Sequence, residues 1–392
     1  LTVWQTGQPI VYQSGGWAAP FGIALVGDLL SAVFVFMTQL VMVTGIVYAM
    51  GSQDKVVTYP TFFPLFLTLT TGLSGAMMTG DLFNISLLAA FFMLLAIGSL
   101  YVSYGTLNMA DMAARVAVNS GRPLLWPGIA FLLAAFMIKS AVFPFHFWQP
   151  DFHTAAPTAV SAMLSSVVVK LGVYGFLRMT TLLFVAQAPL IQAVLLVAGV
   201  VGVIFGGLSA LGTHNVKRML AYSTLAQVGF ILVGIGWGTN LSITAAIVFA
   251  FNHSLIKAAM LMLAGYVASR ASVKSAAFAV VTGVGRPLPA AGILFFMGSL
   301  ALAGIPPTNG FVSKALLFTS GIAAEGMWPL LLIGLTSLFT LVYTMRAFQR
   351  IWWLAPAEGI TTKPTGDRLI APALLLTMIV ILGVWAEPLV AV

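Results

Sequence analysis

The stretch "FMIKSAVFPFHFWQPDFHTAAPTAV", residues 136–160, opens as the end of a membrane span and then breaks its own pattern. Lys139 stands in a run whose other members suit hydrocarbon, and Pro144 interrupts that run about a turn and a half later. Both residues are expensive in lipid. An ammonium group needs water, a partner or a cover of protein, and a proline frees backbone carbonyls that something else must satisfy.

Working outward, the chain has 392 residues, 60% hydrophobic and 7% charged, with a mean hydropathy of +1.05, a balance far from that of a soluble domain. It reads as a polytopic membrane protein. The absence of cysteine removes disulfides and thiolate metal sites, and four histidines scattered along the chain make no metal cluster, so no metal or cofactor is expected. A net charge of +8 raises the question of nucleic acid. The basic residues are spread over short loops and span interiors, however, with no exposed basic stripe, so no nucleic-acid partner is expected. Nothing at the start reads as a secretory signal, and a first residue of Leu1 leads us to expect that the true N-terminus lies upstream.

Apolar runs of about 20 residues, long enough to cross about 30 Å of hydrocarbon, recur along the chain. They fall roughly at 26–50, 60–80, 84–104, 124–147, 157–183, 188–211, 216–236, 242–268, 288–322, 328–353 and 369–388, which predicts an all-α bundle of about eleven spans. Alternation typical of barrel strands is absent. Two runs are irregular. The one at 124–147 carries Lys139 and Pro144, and the one at 288–322 carries "GIPPTNG", 304–310, before Lys314. Broken helices in corresponding positions of two halves point to a transport site. Prolines alone are common in membrane helices, so the lysines carry that argument.

Of eight lysines, four (Lys139, Lys170, Lys257 and Lys314) fall inside the apolar runs, whereas the nine arginines lie near run ends or in loops. The sorting has chemical content. A guanidinium stays protonated almost anywhere, but an ammonium taken out of water can release its proton and recover it. Static ion pairing is a poor account of four such lysines, since before Glu325 the acidic residues are only Asp28, Asp54, Asp81, Asp111 and Asp151. In "FNHSLIKAAMLMLAGY", His253 and Lys257 stand four apart on one helical face, as a relay step or as a packed histidine beside a lysine. Together Lys139, Lys170, His253, Lys257 and Lys314 suggest a line of polar stations bridged by water. His146 and His153 are candidate proton-uptake residues next to Lys139, or else local caps.

Loop charges give an orientation. One side, with Lys217, Arg218, Arg270, Lys274, Arg286, Arg346, Arg350, Lys363 and Arg368, holds nine basic residues, and the other, with Lys55, Arg115, Arg122 and Arg178, holds four. The positive-inside rule makes the first side cytoplasmic. "GTLNMADMAARVAVNSGRP", 105–123, has helical periodicity and reads as an amphipathic helix lying outside the spans.

"MIKSAVFPFHFWQPDFHTAAPTAVSAMLSSVVVKLGVYGFLR", "NVKRMLAYSTLAQVGF", "FNHSLIKAAMLMLAGY" and "SLALAGIPPTNGFVSKALLF" resemble the antiporter-like membrane subunits shared by respiratory complex I, membrane-bound hydrogenases and multisubunit Na+/H+ (Mrp) antiporters. "GGWAAPFGIALVGDLLSA" and "GTLNMADMA" lean toward the D-type member of the antiporter subunits. The resemblance implies two inverted five-helix repeats, with discontinuous helices at about 124–147 and 288–322. It divides the chain into an N-terminal extramembrane segment (1–25), N-terminal helices with the first repeat (26–183), a second repeat (188–353) and a connecting loop with a C-terminal helix (354–392). It implies that Lys139 is the central proton-binding lysine and Lys170 the next station. Lys257 with His253 then joins the halves, and Lys314 faces an exit. It further implies a proton-translocating subunit without bond chemistry of its own, in the cell (inner) membrane of a prokaryote. The expected partners are homologous antiporter-like subunits, lipid, protons and, in an antiporter, Na+. The alternatives are a proton-pumping subunit of a complex I-like oxidoreductase or hydrogenase, an autonomous exchanger, and a non-conducting subunit needed for assembly.

One departure stands out. In the family a glutamate-bearing helix follows "GDLFN", here 80–84, yet this chain runs straight into what resembles the helix after that. One span is expected to be missing near 84/85, either omitted or lost in a shortened variant.

Overall fold

A computed structural model describes residues 2–13, 24–79 and 91–387. The "GDLFN" segment and position 84/85 lie outside the described residues. Fourteen helices matter here: α1 Leu29–Met50, α2 Phe62–Met78, α3 Phe91–Tyr104, α4 Met109–Val118, α5 Leu125–Lys139, α6 Trp148–Ala155, α7 Thr158–Leu183, α8 Ala188–Gly212, α9 Val216–Trp237, α10 Asn240–Arg270, α11 Pro289–Ala303, α12 Asn309–Ala323, α13 Met327–Trp353 and α14 Ile370–Val384. Among the described residues, six helical stretches are long and apolar enough to cross a membrane, and α2, α3, α5, α11 and α14 are shorter apolar helices.

Helix starts follow local chemistry. Asp28 caps α1 and Thr239 caps α10, each reciprocated by a serine three residues on, Ser31 and Ser242. Asn108 and Asn215 cap α4 and α9 by accepting two backbone N–H groups each. The all-helical expectation needs one correction: β1 Ile10–Gln13 pairs antiparallel with β2 Ala24–Gly27. These strands precede the first span, where water is at hand, and four residues are too few for an alternating pattern to be read. The amphipathic segment forms α4, with Met109, Met112 and Val116 on its buried face.

The two ends of the bundle can be told apart by their contacts. At one end, here the charged end, Asp367 accepts from the Tyr48 hydroxyl and the Gln53 N–H, Arg270 donates to the Asp367 carbonyl, and Lys274 pairs with Asp54 at 3.3 Å. At the opposite end Arg178 grips Asp28 with two bonds of 2.6 and 2.8 Å, and Leu25 bridges Thr79. The loop carrying Lys55 therefore shares an end with Arg270 and Lys274, and the side assigned to Lys55 from span parity is corrected. Counting spans along the chain fails here because α2 and α3 finish at the same end. Thr79, just after α2, is at the opposite end, and Tyr104, at the end of α3, is there too, since the adjoining α4 packs on residues 179–183. The two helices run in parallel, so α3 starts at the charged end.

The discontinuous helices run in opposite senses. The α5–α6 pair starts at the opposite end and reaches the charged end, where Arg218 meets Asp151 at 3.0 Å. The α11–α12 pair starts at the charged end, beside a segment in which Gly283 and Gly285 bond Arg350 and Ile351, and finishes near Trp237 at the end of α9. Between these pairs lies α10, a 31-residue helix with nearly all of its central residues buried.

Candidate functional site

The buried lysines converge on α9 and α10. Within α7 the residues Leu164–Val168 form a π-helical turn, which displaces the backbone of "LSSVVVK" and leaves Ser165 to bond outside the regular ladder. Lys170, fully buried, donates from Nζ to the Ser165 carbonyl at 2.7 Å. The Ser165 hydroxyl meets the Thr224 hydroxyl of α9 at 2.6 Å. Thr224 in turn donates to the Leu220 carbonyl at 3.1 Å, and that same carbonyl accepts from Nζ of Lys257. Lys170 and Lys257 are thereby connected through Ser165, whose carbonyl holds Lys170 and whose hydroxyl meets Thr224, and through the Leu220 carbonyl shared by Thr224 and Lys257. A bond of 2.6 Å from Ser254 to the Ser166 carbonyl pins α10 against the π turn.

His253, one turn before Lys257, is buried, and neither ring nitrogen has a hydrogen-bond partner among the described residues. Its ring lines a small cavity of about 10 Å³, together with Ser313 and Lys314 of α12. Gln227 of α9 lines the same cavity, and its Nε2 is likewise unpartnered among the described residues. Lys314 donates to the Ala303 carbonyl at 2.8 Å and to Ser337 at 3.2 Å, and its ammonium lies 5.1 Å from the centre of the Phe230 ring. The break supplies that carbonyl. Gly304 ends α11 at φ +80°, a left-handed position, so Ala303 no longer shares its oxygen with a following turn.

Lys139 is the last residue of α5 and is half-buried. Ser140 beyond it donates to the Val169 carbonyl at 3.1 Å, next to Lys170, and Gly172 admits this approach, since a Cβ there would lie 2.1 Å from the Ser140 hydroxyl. His146 is buried among Phe143, Phe147 and Phe205, with ring centroids 5.6, 4.6 and 4.8 Å away. His153 on α6 is fully buried, with both ring nitrogens unpartnered among the described residues.

The four ion pairs among the described residues are Arg115–Asp111, Arg178–Asp28, Arg218–Asp151 and Lys274–Asp54, and none includes Lys170, Lys257 or Lys314. Those three ammonium groups are held by carbonyl and hydroxyl oxygens. Sequence reasoning missed the hydroxyl bridge of Ser165 and Thr224, although polar residues in the apolar helices "MLSSVVVK" and "MLAYST" were a signal. It also treated Lys217 and Arg178 as loop or end charges, whereas they are only 8% and 7% exposed. No local signal marks either one. Residues 105–123 and the charged loops contribute no group to this cluster.

The transmembrane family described as NADH:quinone oxidoreductase/Mrp antiporter matches residues 60–340. The D-type subunit of a Na(+)/H(+) antiporter from Bacillus subtilis (strain 168) is 32% identical over 96% of this chain and 84% of its own length. The N-type subunit of the NADH-quinone oxidoreductase of Desulforudis audaxviator (strain MP104C) is 31% identical over 96% of this chain and 84% of its own. A chain in the structure of a membrane-bound sulfane sulfur reductase, an archaeal respiratory membrane complex, superposes with a TM-score of 0.86, 27% identity, all of this chain and 86% of that one. Motifs, fold and matches agree that this multi-pass membrane chain belongs to the NADH:quinone oxidoreductase/Mrp antiporter transmembrane family.

Proposed function

We propose that this chain is the proton-translocating subunit of a multisubunit cation/proton antiporter in a prokaryotic cell (inner) membrane, and that protons move through its buried lysines and histidine. The observation that carries the reading is the link from Lys170 through Ser165, Thr224 and the Leu220 carbonyl to Lys257. Lys170, Lys257 and Lys314 are held by neutral oxygens and pair with no carboxylate among the described residues, which leaves them able to alternate between charged and neutral forms. In this reading Lys139 is the central proton-binding group and Lys170 the next station. Lys257 and His253 join the halves, and Lys314 faces the exit beside the small cavity that it lines together with His253, Gln227 and Ser313. His146 and His153 take up protons, and the charged end is cytoplasmic. The partners are homologous membrane subunits, lipid, protons and Na+.

Two inverted repeats, 26–183 and 188–353, and about eleven spans belong to the same proposal. The opposite senses of α5–α6 and α11–α12 support the inversion. The missing span is supported by the parallel run of α2 and α3. Residues 80–90 would reach only about 16 Å as a helix, roughly half of a bilayer core. The Bacillus and Desulforudis matches extend over 416 and 427 residues, against 392 in this chain, which also accords with an internal stretch that the relatives have and this chain lacks.

The match to the N-type oxidoreductase protein favours a second reading, a proton-pumping subunit of a complex I-like enzyme, with the same internal route and a redox partner as its drive. The test common to both is Lys139→Ala and Lys314→Ala in the assembled complex. Each variant is expected to assemble normally and to abolish coupled proton movement, read with a pH-sensitive dye in membrane vesicles. Near-normal gradient formation by both variants would remove the relay.

A further inference from the structure

We propose that Lys217 is the group through which protons are taken up from the charged end and handed to His153, a step that rests on the relay reading above. Lys217 occupies the first turn of α9, where the Asn215 cap fixes the backbone, and its side chain is 8% exposed. Nζ donates to the Ala156 carbonyl at 3.1 Å. Asp54, paired with the exposed Lys274, and Asp367 lie within electrostatic range of it. Asp367 is itself 4% exposed and holds the Tyr48 hydroxyl at 2.5 Å and the Gln53 N–H at 2.9 Å. These groups place a protonatable nitrogen just beneath a charged, partly wet surface.

On the inner side stands His153, whose backbone is tied to that of Ala156: the Ser161 hydroxyl reaches the carbonyls of His153 and Ala156 at 3.4 and 3.5 Å. The charges that act on His153 are those of Lys257, Lys217 and Lys170, two core lysines and the proposed donor. A fully buried imidazole with both nitrogens unmatched is costly as a packing element, which calls for a task or a water at that place. The step balances simply. A neutral Lys217 amine takes a proton from hydronium at the charged end, an O–H bond breaking as the N–H bond forms; since Nζ bonds the Ala156 carbonyl and not His153, the ammonium then passes the proton through an intervening water to a ring nitrogen of His153 and returns to the amine. Positive charge at Lys170 or Lys257 then opposes its retention on His153.

The competing role is purely structural, since a lysine on a helix-terminal carbonyl is a common C-cap. Arginine separates the two roles, because it can hold the carbonyl but cannot release its proton. In vesicles carrying the full complex, Lys217→Arg and Lys217→Gln are expected to assemble at parental levels and to move protons at least about tenfold more slowly, with His153→Gln matching them. Parental transport by Lys217→Arg would overturn the proposal and leave Lys217 as an anchor. Should neither Lys217 variant assemble, His153→Gln decides: normal assembly with a tenfold loss supports the route, and parental transport removes it. Active Lys139→Ala and Lys314→Ala variants would instead sink the relay itself, whereas loss in those two with an active Lys217→Arg would sink only this uptake step.

Discussion

At Gly304 a backbone angle of φ +80° coincides with a crowded neighbour, because a Cβ would lie 2.5 Å from Cδ of Lys314. The residue serves two needs, ending α11 and leaving room for the lysine stem that crosses the break. Gly304→Ala is expected to cost about 1–2 kcal/mol in backbone strain alone and to push the Lys314 ammonium off the Ala303 carbonyl. The check is a lower thermal midpoint of the purified complex together with slowed proton movement. Single residues of this kind differ in how legible they are. Lys170, Lys257 and Lys314 stand out in sequence because an ammonium amid valines and leucines has few explanations. Lys217, Arg178 and Asp367 do not, since near a span end the burial of a charge depends on distant parts of the chain: Lys217 holds the carbonyl of Ala156, 61 residues away, and Asp367 meets Arg270 and Gln53, 97 and 314 residues away.

Among the elements, α7 is the most specialised. Its π turn sets Ser165 against Thr224 of α9, and the resulting contact is a single link between two lysine-bearing helices. Ser165→Ala and Thr224→Val are each expected to slow transport about fivefold, the equivalent of roughly 1 kcal/mol for one lost hydrogen bond. Since both remove the same link, the double variant should be no slower than either single one. Transport rates in a double-mutant cycle test this, and simple multiplication of the two losses would count against a shared path. Helix positions were legible because lipid demands long apolar runs, and both breaks were legible from proline. The π turn was not, because it depends on packing against α9 and α10 rather than on any residue unable to continue an α-helix. The strands β1 and β2 escaped for want of length.

For the whole molecule, the Arg178–Asp28 pair ties the start of α1 to α7 at the opposite end, and Tyr174 adds a bond of 2.8 Å to Nε of Arg178. Asp28→Ala would strand a mostly buried guanidinium, and a loss of up to about 3 kcal/mol is expected, seen as a lower thermal midpoint without change in the transport mechanism. The gene is expected to encode a further stretch of about 20 residues or more between Thr79 and Phe91, carrying a carboxylate, and sequencing of the uninterrupted coding region checks this. Span parity taken from the chain alone misplaced Lys55 because α2 and α3 run in parallel.

The antiparallel course of the two broken helices has a thermodynamic consequence. Two broken helices of opposite sense contain nothing like a ratchet, since their course alone favours neither direction across the bundle. Net flow through such a device takes its sign from whatever gradient or neighbouring motor is imposed on it, so the same chain can serve uptake or extrusion according to its setting.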